Sequence, residues 1–187
     1  KNTSAAIQAS TPELAADAVV QAMANLEQKS GAQLEAFTRM FNVNGVRFCP
    51  YYRTENTDRI LTAERFIEEF ENPQAAAAQW GTHDGSGEPI EMNLRGYWRT
   101  YVWDQPYTSL STPHAVGNPN DFQGTGNMIN NLFDTFPAPQ YRIVEYYQPG
   151  QDPELDGMDW TSLIVVLHDE GQGRWTLTAI AHGSWTL

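Results

Sequence analysis

The sequence predicts an α+β fold with its helices early and its strands late. Two observations lead there. Apolar residues recur at helical spacing through the first hundred positions, and they alternate at strand spacing in the last third. The absence of any internal repeat then points to one packed unit rather than an array.

The elements follow in order. Thr11-Pro12-Glu13 is a helix start, with a hydroxyl cap followed by proline where its missing N–H costs nothing. Leu14, Ala18, Val19, Ala22, Met23 and Leu26 form its apolar stripe, and Ser30-Gly31 breaks it. Leu34, Phe37, Met40 and Phe41 mark a second helix. Val46-Arg47-Phe48-Cys49 reads as a strand that Pro50 ends or confines to an edge. Thr62 caps a helix over Ala63 to Glu71, with Phe66, Ile67 and Phe70 inward, and Asn72-Pro73 stops it. Gly81 to Pro89 is a turn-dense loop. Asn93 caps a short helix carrying Leu94, Tyr97, Trp98 and Tyr101. Pro106 to Asn127 is an irregular excursion.

Four late runs read as strands: Met128 to Phe136, Gln140 to Tyr147, Thr161 to His168 and Arg174 to His182. The last two are joined as a hairpin through Asp169 to Gly173. Strict alternation would place Trp175, Leu177, Ala179 and Ala181 on one face, with Thr176, Thr178, Ile180 and His182 on the other. At 187 residues the chain suits a single domain over 11–187, preceded by a flexible, aperiodic leader over 1–10.

Composition narrows the function. Eleven Lys and Arg stand against 23 Asp and Glu, a formal charge of −12. That balance argues against nucleic acid or an anionic membrane as partner, since phosphate binding needs clustered cations. No apolar run approaches the roughly 20 residues of a membrane span. Cys49 is the sole cysteine, so no disulfide within the chain is expected. An acidic chain with almost no thiol, opening on a polar stretch without Met, fits a periplasmic or secreted domain, with or without a membrane tether ahead of residue 1.

The helix pair, then Gly45-Val46-Arg47-Phe48-Cys49-Pro50-Tyr51, then the Trp-containing late strands resemble the nuclear-transport-factor-2-like (cystatin-like, SnoaL-type) superfamily. More narrowly, Trp80 to Ile90, Asn130-Asn131-Leu132-Phe133, Val144-Glu145-Tyr146-Tyr147, Gly157-Met158-Asp159-Trp160 and His182 to Thr186 are similar to a family of bacterial exported proteins and lipoproteins. The resemblance implies N-terminal helices packed into the hollow of a strongly curved antiparallel sheet, a cone that leaves a cavity. It carries no catalytic role, and the family pattern has Ser at the position of Cys49, which argues against a thiol mechanism.

A cavity of that kind directs attention to polar residues among the strands. Glu145 shares a strand face with Tyr141, Ile143 and Tyr147, and either lines the cavity or faces solvent. His182 has the chemistry of an acid or base, against a structural bond to a nearby carboxylate. Arg47, beside Tyr51 and Tyr52, is the anion-binding candidate, or else the partner of Glu145 or Asp159 in an internal ion pair. Trp160 is an aromatic wall candidate beside Asp159. Arg47, Tyr51, Glu145, Asp159, Trp160 and His182 are therefore the expected ligand-binding set, with Glu145 and His182 as candidate bases.

Two further patterns carry bland alternatives. Asp84 and Glu88 form either a carboxylate pair at a cleft or an ordinary Asp-capped glycine turn. Asp152-x-Glu154-x-Asp156-Gly157 mimics half of a calcium loop but has Leu163 where the closing Glu belongs, so a solvated turn is expected and no metal. His83, His114, His168 and His182 show no ligand spacing, and no cofactor motif occurs. The expected function is an exported domain that binds a small organic molecule or cell-envelope fragment, as a monomer or weak homodimer. The alternatives are a cofactor-free isomerase, dehydratase or hydrolase, and a purely structural interaction domain.

Overall fold

In the computed structural model, residues 5–124 and 129–186 are described. They form an α+β domain in which one mixed sheet is covered on both faces. The helices are α1 (Pro12–Met23), α2 (Gly31–Thr38), α3 (Ala63–Glu71), α4 (Leu94–Tyr101), α5 (Tyr107–Leu110) and α6 (Leu132–Thr135). The strands are β1 (Ile7–Gln8), β2 (Val46–Cys49), β3 (Arg59–Leu61), β4 (Ala78–Thr82), β5 (Pro89–Met92), β6 (Pro113–Val116), β7 (Tyr141–Gln148), β8 (Thr161–Gly171) and β9 (Arg174–Ser184).

The main sheet runs β3-β2-β9-β8-β7-β6, with β1 also paired to β9, and it does not close. It is mixed rather than purely antiparallel, because β2 runs parallel to β9. That pairing needs the long crossover that joins β2 to β9 through the helices and the other strands. Of the expected leader, Ile7–Gln8 pairs with Trp175 and Arg174, and residues 1–4 lie outside the described residues. Among the described residues no helix is long and apolar enough to cross a membrane.

The predicted caps hold α1, α3 and α4 where expected. Thr11 Oγ1 accepts from Leu14 N, Thr62 Oγ1 from Arg65 N, and Asn93 Oδ1 from Gly96 N at 2.9 Å. The buried stripe of α1 is Ala15, Ala16, Val19, Val20 and Met23, whereas Leu14 lies 54% exposed. Ala15 and Ala16 thus hold the inward positions of the first turns, and Leu14 points away from the core. Against the same face pack Phe37, Phe41, Phe66, Phe70 and Trp98 in edge and stacked contacts, with Phe48, Trp80 and Tyr97 completing the aromatic layer.

Several expectations are corrected. The stretch over 80–90 is not wholly loop: β4 and β5 pair as a hairpin around the turn at His83 to Glu88. The strand expected from Met128 to Phe136 is instead a helical turn, α6, and Met128 lies outside the described residues. The excursion after Pro106 contains α5 and β6, and β6 pairs with β7.

The most consequential correction is in β9. Val166 pairs with Ala179 but Leu167 pairs with Leu177, so Thr178 is an extra residue in a bulge. Trp175 and Leu177 therefore face the helices with Ile180, while Ala179 and Ala181 face the opposite side. On that opposite side Cys49, Ile143, Ile164 and Val166 are covered by Phe122, Leu132 and Phe136, which belong to the segment after β6.

Candidate functional site

The six predicted residues do not converge, and the sheet itself separates them. Glu145 pairs with Ile164 and Ile164 with Ala181, so these share the face away from the helices. His182 pairs with Leu163 and lies on the helix face. Both are buried, yet they sit on opposite sides of one sheet.

Glu145 is fully enclosed. One oxygen takes the hydroxyl protons of Tyr52 at 2.8 Å and Ser162 at 2.7 Å, with Gly124 N at 3.3 Å. The other takes Gln123 N at 2.7 Å. Four donors thus hold the carboxylate, three on one oxygen and one on the other. Glu145 does not meet solvent, and it pins the segment after β6 to the sheet. Tyr52 stacks between Phe122 and Trp160 over it, and its phenol is pushed up by burial and by the Glu145 charge. A Cβ on Gly183 would meet the Tyr52 ring at 2.5 Å, so the close approach of β9 to this ring requires glycine.

Trp160 belongs to this far side as well, between Tyr52 and Tyr147. Asp159 organises the turn before β8: its Oδ2 accepts from Gln151 N at 2.8 Å and Asp152 N at 2.9 Å, and these amides hold its carboxyl below the usual range. Asp152 in turn accepts from Glu154 N. Among the described residues no group of three or more His, Cys, Asp or Glu side chains is placed to hold a metal ion.

Arg47 pairs with neither Glu145 nor Asp159. Its guanidinium donates to Asp58 Oδ2 at 3.3 Å and to Glu55 O at 3.1 Å, because the β2–β3 connection folds back beside the strand. Asp84 and Glu88 do not form a carboxylate pair: Asp84 meets Arg53 and Thr186, while Glu88 is exposed. The guanidinium of Arg53 and the Thr186 hydroxyl outweigh burial and hold the Asp84 carboxyl low.

The helix face offers a different constellation. The core there is apolar around Phe37 and Phe66, and it turns polar toward the end of β9. Tyr51 and Tyr101 meet edge to face at 6.1 Å, and Tyr101 meets the His182 ring at 5.8 Å. Burial and Tyr51 push the Tyr101 phenol up. His182 Nε2 lies 3.0 Å from Asp104 Oδ2. Tyr107 donates to Asp104 Oδ1 at 2.7 Å, and its hydroxyl is 3.1 Å from Thr161 Oγ1. Burial raises the Asp104 carboxyl, but the bonds from His182 and Tyr107 prevail and hold it below its ordinary value. His182 Nδ1 is buried and has no hydrogen-bond partner among the described residues.

Scans of protein-family models, curated proteins and solved structures each find no match to this chain. Its own geometry therefore carries the functional argument. Two surface hollows of about 180 and 240 Å³ flank the exposed Val43, and both are lined by residues other than the predicted six.

Asp104, Tyr101 and Tyr107 are the residues that sequence reasoning missed. Tyr101 was legible as a core position of α4. Asp104 lies 78 positions from His182 in the chain, and nothing in its spacing announces the partnership. The usable signal was a lone acid closely flanked by Tyr101, Trp103 and Tyr107, where an unpaired carboxylate is costly.

Proposed function

We propose that this chain is a small-ligand-binding domain of the nuclear-transport-factor-2-like class, with its site at the polar end of the helix-side core, around His182, Asp104, Tyr101 and Tyr51. The helices α1 to α4 on one face of an open sheet support the class. The single observation that carries the site is His182: Asp104 fixes one ring nitrogen while the other is buried without a partner among the described residues. A buried polar atom left in that state costs about 1–3 kcal/mol, and a bound molecule that supplies the missing bond recovers it. The tyrosine rings beside it supply flat apolar area. The ligand is a small organic molecule or a fragment of the cell envelope, and the acidic composition with one buried thiol supports a periplasmic or secreted setting.

A second reading rests on the same pair. A carboxylate on one imidazole nitrogen orients the ring and leaves the other nitrogen to take a proton, which is the arrangement of a general base. A cofactor-free isomerase, dehydratase or hydrolase would use His182 in this way. In this reading His182 alone is the base, and Glu145, on the other face of the sheet, serves to anchor the segment after β6.

The test is a backbone amide spectrum of the domain titrated with a library of small aromatic and hydroxylated fragments. Shifts clustered at Tyr51, Tyr101, Asp104 and His182 support the proposal. Binding fragments that shift only residues elsewhere, or a library that shifts nothing, overturns it.

A further inference from the structure

The larger hollow beside Val43 presents two opposite charges that do not meet. It holds about 240 Å³, is lined by Ala6, Val43, Glu170, Arg174 and Thr176, and lies at the other end of β9 from His182. Glu170 owes its place to a bulge. Asp169 pairs with Trp175 and Gly171 with Arg174, which leaves Glu170 as the extra residue between them. Its Oε1 is pinned by His168 Nδ1 at 2.9 Å and by the Thr176 hydroxyl at 2.8 Å. Thr176 is itself buried and receives a bond from Asn42 Nδ2 at 2.9 Å, so the carboxylate stands on a firm support. Its Oε2 has no hydrogen-bond partner among the described residues.

Arg174 is the complement. Its guanidinium reaches Glu170 O at 3.4 Å and Gly171 O at 3.5 Å, both long, and among the described residues it forms no ion pair. Burial raises the Glu170 carboxyl, but the bonds from His168 and Thr176 and the Arg174 charge prevail and hold it low. Glu170 is therefore ionised at neutral pH. The two charges share one hollow without touching, and a molecule that carries both signs satisfies each of them.

Size and lining narrow the occupant further. The hollow is smaller than the roughly 300–1,000 Å³ of a pocket for a drug-sized ligand, which suits a molecule of a few heavy atoms. Its remaining wall is apolar: Val43 is 82% exposed, and covering it against an aliphatic group is favourable.

We propose that this hollow binds a free amino acid with a branched apolar side chain. The ammonium sits on Glu170 Oε2, the carboxylate on the Arg174 guanidinium, and the side chain over Val43 and Ala6. The site is separate from the one around His182 and stands independently of it. A ligand with a single charge leaves one of the two groups unmatched, so the zwitterion is preferred over either half.

The experiment titrates the intact domain at neutral pH with L-leucine, with 4-methylpentanoate, which lacks the ammonium, and with 3-methylbutylamine, which lacks the carboxylate. Amide and methyl spectra report on Val43, Glu170 and Arg174. Leucine is expected to shift all three residues and to bind at least about fivefold more tightly than either analogue. Glu170→Gln, which keeps an acceptor for Thr176, is expected to weaken leucine and spare 4-methylpentanoate. Arg174→Gln is expected to weaken leucine and spare the amine. If either variant fails to fold, the ranking of the three probes on the wild type still decides. Equal or tighter binding of a singly charged analogue overturns the proposal, as does leucine binding elsewhere or no shift with any probe.

Discussion

His182 and Asp104, 78 positions apart in the chain, meet at 3.0 Å between Nε2 and Oδ2 on the helix side of the sheet. The contact joins the last long strand to the loop that leaves α4, and Tyr107 from α5 closes on the same carboxylate at 2.7 Å. Three elements are tied through one side chain, and what happens to that carboxylate is felt by all of them.

Acid should therefore loosen this end of the domain. The folded-state value of Asp104 lies below its unfolded value, so the stability it contributes is complete above the unfolded value of about 4 and is lost as pH falls through the folded one. Asp104→Asn removes that component. Urea titrations from neutral to acidic pH should show a shallower acid slope in the variant than in the wild type. An unchanged slope would mean that the carboxylate is not held low by these bonds.

Tyr107→Phe separates the two partners of Asp104. It leaves His182 in place but removes a donor from a buried carboxylate, with an expected loss of about 1–2 kcal/mol. The Asp104 titration, followed by carbon-detected spectra, should move upward. No movement would place the Tyr107 hydroxyl on Thr161 alone.

On the opposite face, Glu145→Ala strips four donors of their acceptor: Tyr52, Ser162 and the amides of Gln123 and Gly124. Destabilisation of about 3 kcal/mol is expected by chemical denaturation. Hydrogen exchange should accelerate most at Gln123 and Gly124. Equal acceleration across β8 would show instead that the segment after β6 opens only with the whole domain.

Gly183→Ala probes the same face sterically. The added methyl would meet the Tyr52 ring at 2.5 Å, backed by Phe122 and Trp160, so the ring has little freedom to yield. A cost of about 1–3 kcal/mol and a lower Tm are expected. A neutral substitution would indicate that Tyr52 moves aside, and Glu145 would lose one of its hydroxyl donors.

The caps and stripes of α3 and α4 were legible because they are local: Thr62 and Asn93 act on amides three residues away, and Phe66, Phe70, Trp98 and Tyr101 follow from helical period. The pairing β7-β8-β9 was legible for a similar reason, since alternation and a glycine turn lie within one stretch. The partition of β9 was not. One bulge at Thr178 exchanges the faces of every residue beyond it, and no composition signal marks the extra residue. The partners of Arg47, Glu145 and His182 were hidden likewise, because Asp58, Gln123 and Asp104 are loop residues whose positions depend on how the chain returns to the sheet.

The most direct measurement is the imidazole proton–nitrogen spectrum of His182 in the ligand-free domain at neutral pH, recorded beside Asp104→Asn. A hydrogen held on Nε2 and donated to Asp104 is expected, with loss of that preference in the variant. A ring with its hydrogen on Nδ1, or one unaffected by the Asp104 change, would contradict it.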